Sequence, residues 1–268
     1  MYPASFDYYR PKNLKDAVTL LRKKKDAKLL AGGHSLLPAM KLRVSSPAAI
    51  IDIGRVKGLQ GIKVGKSSVK IGALTTHAEV AESGAIGKSC PLLSEAAAHI
   101  GDMQVRNRGT IGGSLAHADP AGDWPTALLA LNTEVTITGL QGVRRVPLTE
   151  FIVDAYTTQL GSAEMVTEVS VPFSRRPCGG AYVKFERRAG DFAVASVAVQ
   201  LELAEGDRCG KVAVSLGALG AAPRRARAAE ELLRASVATL DGLQPARPLP
   251  LAYAISDLAD NLRAQSRY

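Results

Sequence analysis

Two glycine pairs flanked by hydroxyl residues are the stretches of this sequence best suited to chemistry: Gly32-Gly33-His34-Ser35 and Thr110-Ile111-Gly112-Gly113-Ser114. Three readings compete for them. A hydrolase nucleophile elbow has the form G-x-S-x-G, and Gly33-His34-Ser35-Leu36 begins it. Leu37, however, stands where the last glycine belongs and would crowd the strained strand-to-helix turn. Ser114 fails in the same way at Ala116, and no H-G-G-G oxyanion stretch is present. Nucleotide fingerprints fare no better. There is no G-x-G-x-x-G, and the run from Gly61 to Ser67 is one residue short of a P-loop and leads into a strand-like segment instead of a helix. The third reading treats the two stretches as one device. Residues without side chains let backbone N–H groups approach a phosphate, successive N–H groups in a turn form an anion-binding nest, and Ser35, Thr110 and Ser114 add hydroxyl donors. Two such loops would grip a pyrophosphate from both sides, with Ser35 a ligand and not a nucleophile.

Composition removes several other classes. The three cysteines, Cys90, Cys178 and Cys209, are far apart and form no C-x-x-C pair, so they assemble neither an iron–sulfur cluster nor a structural zinc site. The four histidines, His34, His77, His99 and His117, lack the H-E-x-x-H spacing of a helical metal site. A net charge of +9 raises the question of nucleic acid, with Arg22-Lys23-Lys24-Lys25 and Arg224-Arg225-Ala226-Arg227 as the basic runs. Both fall on expected helices, where charge runs form the solvated face, and no aromatics interleave with them as stacking platforms. An anionic cofactor or acidic partner suits the charge better. No apolar run has the length of a membrane span, and residues 1–7 lack the basic-then-apolar pattern of a secretory signal, so a cytoplasmic protein is expected.

The elements that must carry the two stretches can be read from periodicity. Leu14, Ala17, Val18 and Leu21 have helical spacing behind Asn13 as N-cap. Short apolar runs at 28–31 and 48–53 read as buried strands. Residues 68–72 alternate as a strand, Thr76-His77-Ala78-Glu79 has the form of a capping box, and 92–100 reads as a helix. Strands are expected at 133–138 and 164–171, then three in succession at 181–186, 193–203 and 211–219, followed by a helix with Pro223 near its first turn. Strand runs beside helices indicate an α+β chain. The prolines at 172 and 177 mark a boundary, giving domains of 1–172 and 173–268, the first split into subdomains 1–54 and 55–172.

The segments AGGHSLLPAMKLR, QVRNRGTIGGSLAHADPAGDWP and AYVKFERRAGDFAVASVAV resemble, in order and spacing, the FAD-binding medium subunits of the molybdenum hydroxylases, the family of carbon monoxide dehydrogenase and xanthine dehydrogenase. The resemblance implies a two-subdomain FAD-binding domain of the PCMH/vanillyl-alcohol-oxidase-like type and a C-terminal domain with a three-stranded antiparallel sheet and helices. It implies that Leu30, Ala31, Gly32, Gly33, His34, Ser35 and Leu36 form one pyrophosphate loop and Thr110, Ile111, Gly112, Gly113 and Ser114 the other. It further implies Asp123 at the adenosine ribose, Ile100 and Val166 as apolar contacts, and Lys184 as a cation near the flavin ring. Phe192 matches a position beside the flavin that holds tyrosine in some relatives, so any role of that hydroxyl is lost. Residues 260–268 match the family's penultimate segment, which implies a C-terminal domain without its last helix. The expected cofactor is FAD. The molybdenum cofactor and [2Fe-2S] clusters are expected only in partner subunits, a large and a small one, in a dimer of heterotrimers. A stand-alone FAD-dependent oxidoreductase of the same broad fold is the alternative. It would need its own substrate acid and base near the ring, and no convincing set is evident.

Overall fold

The structure, a computed structural model, describes residues 2–174, 176, 178–204 and 209–236. The expectation for residues 260–268 lies outside the described residues.

The chain opens with a small strand–helix unit: β1 (Asp7–Tyr9), α1 (Leu14–Lys23), β2 (Ala27–Leu30), α2 (Leu36–Lys41) and β3 (Ala49–Asp52). Asn13 caps α1 by accepting from the Asp16 N–H, as its position suggests. The three strands are parallel in the order β1-β3-β2, so the central strand β3 is the buried one, whereas β2 is only partly covered. An apolar cluster of Ala17, Val18, Ile51, Ile53, Leu74 and Met165 joins this unit to the larger middle part of the chain.

That middle part contains β4 (Ile62–Val64), β5 (Ser68–Gly72), α3 (His77–Ala81), α4 (Gly84–Ser89), α5 (Pro91–Ala98), α6 (Met103–Arg106), α7 (Ile111–His117) and α8 (Asp123–Ala130). After these come β6 (Glu134–Gly139), β7 (Gly142–Pro147), α9 (Leu148–Phe151), β8 (Ile152–Asp154), β9 (Thr157–Thr158) and β10 (Glu164–Pro172). An antiparallel sheet of order β4-β5-β10-β6-β7 forms its base. The capping box at Thr76 is present, with the Glu79 carboxylate accepting from the Thr76 N–H and the Thr76 hydroxyl accepting from the Glu79 N–H. Every residue of α8 is buried, as a helix without a polar face requires. Trp124 and Leu128 of α8 are among the largest side chains of the main core.

The last part contains β11 (Cys178–Phe185), β12 (Ala195–Leu203), β13 (Cys209–Gly217), β14 (Arg224–Arg225) and α10 (Arg227–Ser236). The three expected strands are the long antiparallel ones, and the two-residue β14 adds to their edge. The sequence places a helix near Pro223 with all of 224–227 on it. Instead Arg224 and Arg225 pair with Leu216 and Ser215, and the helix starts at Arg227. The reason is Glu230: fully buried, it accepts from the Val214 N–H and from the Arg225 guanidinium, which holds Arg225 against the sheet. This sheet rests on α8 and α5. The Ser215 hydroxyl donates to the Thr126 carbonyl at 2.6 Å, and the Tyr182 N–H donates to the Glu95 carboxylate at 2.9 Å.

Candidate functional site

The two glycine stretches meet. A Cβ on Gly32 would stand 2.1 Å from the Arg108 carbonyl oxygen and 2.8 Å from the Gly109 Cα, and one on Gly113 would lie 3.6 Å from the Ala31 Cβ. The backbones of these distant segments therefore touch, an approach only side-chain-free residues permit. Gly33 has φ +83°, the left-handed turn that swings the chain from β2 into α2. Ser35 is the N-cap of α2, but its hydroxyl makes no capping bond and no base is hydrogen-bonded to it, which leaves it without the activation a nucleophile needs. Among the described residues, the N–H groups of Gly32, Gly33, His34, Ser35 and Leu36 donate to no protein acceptor; the first N–H beyond them to do so is that of Leu37, which reaches the Gly33 carbonyl at 3.0 Å.

The second stretch is not a nest but the first turns of α7, with Thr110 as N-cap. Its N–H groups are already used. Ile111 donates to the Thr75 carbonyl at 3.1 Å, Gly112 to the Ala73 carbonyl at 2.9 Å, Gly113 to the Thr110 hydroxyl oxygen at 3.2 Å, and Ser114 to the Thr110 carbonyl at 3.0 Å. The expectation of backbone donors on both sides is thus corrected to one side. Gly112 serves packing, since a Cβ there would come within 2.4 Å of the Ala73 Cβ. What α7 contributes is the hydroxyls of Thr110 and Ser114 and a wall without side chains. Five neighbouring N–H groups without acceptors, beside two further hydroxyls, fit an anion with several oxygens, as a pyrophosphate has.

Below this junction lies His77, which is 4% exposed. Trp124 Nε1 donates to its Nδ1 at 2.9 Å, and the two rings are tilted against each other. Burial, reinforced by the nearby charges of His34 and Arg106, lowers its pKa to about 4. Position 109 has room only for glycine, because a Cβ on it would stand 2.6 Å from His77 Nε2.

A second cluster holds the other expected residues. The Lys184 side chain is 1% exposed, and its Nζ lies 3.2 Å from Asp123 Oδ1 and 3.3 Å from Glu186 Oε2 while donating to the His99 carbonyl at 3.1 Å. Asp123, the first residue of α8, also accepts from the Tyr182 hydroxyl at 2.6 Å. Burial pushes the pKa of Asp123 up, against the pull of Lys184, and pushes that of the Tyr182 phenol up as well. Lys184 and Asp123 are therefore one unit. Ile100 follows His99 in the chain, and Gly190 packs on Gly101, a Cβ there being 3.2 Å from its carbonyl carbon. This brings the Gly190-Asp191-Phe192 turn beside Ile100, with Phe192 64% exposed. Val166 is a buried member of the main core on β10, beneath the junction: Ala73 donates to the Thr167 carbonyl and accepts from Gly112.

His77, Trp124 and Tyr182 stand out only in the structure. Tyr182 lies within a motif segment, and His77 is visible in the sequence as part of the capping box alone.

Residues 4–174 match the family described as the FAD binding domain in molybdopterin dehydrogenase, and residues 180–268 match the CO dehydrogenase flavoprotein C-terminal domain. The carbon monoxide dehydrogenase medium chain of Hydrogenophaga pseudoflava is 39% identical over 269 residues, covering 100% of this chain and 93% of that one. Subunit alpha of the 6-hydroxypseudooxynicotine dehydrogenase complex of Paenarthrobacter nicotinovorans is 42% identical over 234 residues, 87% of this chain and 79% of its own. Among solved structures, carbon monoxide dehydrogenase from Hydrogenophaga pseudoflava superposes with a TM-score of 0.85 at 40% identity, covering 93% of this chain and 91% of that chain. The chain belongs to the FAD-binding medium subunits of the molybdenum hydroxylases, and FAD is its cofactor.

Proposed function

We propose that this chain accepts electrons from a partner iron–sulfur subunit and delivers them through FAD to an external acceptor, within a cytoplasmic dimer of heterotrimers whose large subunit carries the molybdenum cofactor. FAD supplies a carrier for those electrons. The chain's own residues bind and orient it. The N–H groups of Gly32–Leu36 take the pyrophosphate, with the hydroxyls of Ser35, Thr110 and Ser114 alongside. Lys184, fixed by Asp123 and Glu186, keeps a positive charge near the ring, and Ile100, Val166 and Phe192 supply apolar surface. Tyr182 holds Asp123 in place. The FAD-binding domain is 1–172, split at 54, and the C-terminal domain is 173–268.

The observation that carries this reading is the contact of the two glycine stretches with five adjacent N–H groups left without acceptors. The medium subunits of nicotine 6-hydroxylase, carbon monoxide dehydrogenase and glyceraldehyde dehydrogenase are 40%, 39% and 39% identical to this chain. Similarity in this subunit therefore does not track the substrate, as befits a chain that handles electrons. Gly33→Asp tests the site by placing a carboxylate against the anion. The variant should lose FAD while keeping its fold, and full flavin content in a folded variant would rule the assignment out. Co-purification from the native source tests the assembly: recovery without iron–sulfur and molybdenum subunits would count against it.

A further inference from the structure

The imidazole of His77 is satisfied on one side only. Trp124 Nε1 is purely a donor, so the Nδ1 that receives it carries a lone pair, and the proton of the neutral ring is on Nε2. Among the described residues no acceptor meets that Nε2–H, although the residue is 4% exposed. Nε2 is not among the fully buried unpartnered side-chain atoms, so the small exposed part of the ring leaves this donor open to a partner from outside the protein. Gly109 gives the place of this donor. Its missing Cβ would stand 2.6 Å from Nε2, and the same Gly109 packs against Gly32. Nε2 thus lies against the Gly109 backbone, on which Gly32 of the first glycine stretch also packs. His34 and Arg106 are the charged or titratable groups acting on the ring, and both favour its neutral form.

We propose that His77 Nε2–H is a further donor to a pyrophosphate oxygen of FAD, which makes His77 a cofactor-binding residue held in register by Trp124. This rests on the placement of the pyrophosphate at the glycine junction. The role suits a neutral imidazole: the donor is present without protonation, and its bond to Trp124 fixes which nitrogen carries it.

Two substitutions separate the halves of the ring. His77→Asn keeps an amide oxygen near Nδ1 for Trp124 and removes the donor at Nε2; His77→Gln reaches the Nε2 position with an amide N–H. Both are made in the full chain, in the assembly in which it purifies, and FAD is removed and titrated back by flavin fluorescence. H77N should bind FAD about 10- to 100-fold more weakly, the range for one hydrogen bond to a charged group, while its apoprotein melts with the wild type. H77Q should recover most of the affinity. H77N within twofold of wild type would overturn the proposal. So would a loss of affinity that accompanies a lowered apoprotein melting point and is not rescued by Gln, the mark of a merely structural histidine. G33D tells the two levels apart: loss of FAD in G33D with retention in H77N rejects only the histidine, whereas retention in both rejects the pyrophosphate placement. A measurement on the unmodified chain needs no variant to fold. With 15N-labelled histidine and bound FAD, the His77 Nε2 proton should resist exchange with water and couple to 31P. Rapid exchange without coupling would identify water as its partner and overturn the proposal.

Discussion

Lys184 Nζ lies 3.2 Å from Asp123 Oδ1 with the lysine side chain 1% exposed, so a buried ion pair ties β11 to the N-terminus of α8. Its geometry is supported from both ends, by the Tyr182 hydroxyl on the acid and by Glu186 and the His99 carbonyl on the ammonium. Removing one partner of such a pair leaves the other charge buried, at a cost of about 3–5 kcal/mol. Asp123→Asn keeps an acceptor for Tyr182 and leaves Glu186 to Lys184, so its effect should fall at the low end, about 3 kcal/mol. Lys184→Met should lose as much. The double variant should be less destabilised than the sum of the two, because the second change removes the charge orphaned by the first. Denaturant melts of the four proteins check this; strict additivity would show that the pair is not coupled.

Much of the scaffold was legible because it is written in short-range patterns. Asn13 before a helical period, the Thr76–Glu79 box and the alternating strand at 68–72 all depend on residues a few positions apart. The unread elements break those patterns for physical reasons. α8 is buried all round, so it has no amphipathic period, and α7 carries two glycines that argue against a helix on propensity alone. Arg224-Arg225 reads as a helix start until Glu230 is known to be buried beneath the sheet. The site divides in the same way. The glycine stretches are visible as motifs, but His77 with Trp124 and Asp123 with Lys184 are joined across 47 and 61 positions, and no local pattern predicts either bond.

The Gly32 contact gives a graded test of the junction. Gly32→Ala would drive a methyl into the Arg108 carbonyl, a backbone atom that cannot swing aside, and so should force β2 and the α7 N-terminus apart. Gly58→Ala is the control: φ is +84° there, but nothing lies within 4 Å of the new Cβ. It should show only left-handed strain, about 1–2 kcal/mol, with FAD content unchanged. G32A should lose both stability and flavin. Equal flavin content in the two purified variants would mean that the close approach at Gly32 does not shape the site.

Acid should weaken the fold through His77. In the folded chain its proton is taken up only near pH 4, against an ordinary value of 6.5. Between those values the unfolded chain binds more protons. The stabilisation is therefore complete above about pH 6.5 and is lost progressively as the pH falls toward 4, by up to about 3 kcal/mol. Asp123, whose pKa is raised by burial, acts in the opposite sense above the ordinary carboxylate range, so the total slope is a mixture. The difference between wild type and H77N isolates the histidine. Melts of the two apoproteins at intervals from pH 7 to pH 4 should start together and separate as the pH falls, the wild type losing stability that H77N keeps, and parallel curves would show that His77 does not titrate with unfolding.

The isolated chain should bind FAD yet hydroxylate nothing. Its three cysteines are fewer than the four thiolates that a [2Fe-2S] cluster requires, and among the described residues no group of three or more His, Cys, Asp or Glu side chains is placed to hold a metal ion. The glycine junction, by contrast, lies wholly within the chain, between β2, α2 and α7, so FAD can be gripped without a partner. A ligand that binds only the folded form stabilises it by mass action, by about 2.7 kcal/mol at one hundred times its dissociation constant. Melting with and without FAD should therefore show a rise that grows with the logarithm of FAD concentration. The same preparation is then assayed for substrate-dependent reduction of an artificial acceptor, alone and with its partner subunits. Activity should appear only in the assembly. Turnover by the chain alone would mean that it carries a substrate site of its own, and would make it a stand-alone flavin oxidoreductase on the same scaffold.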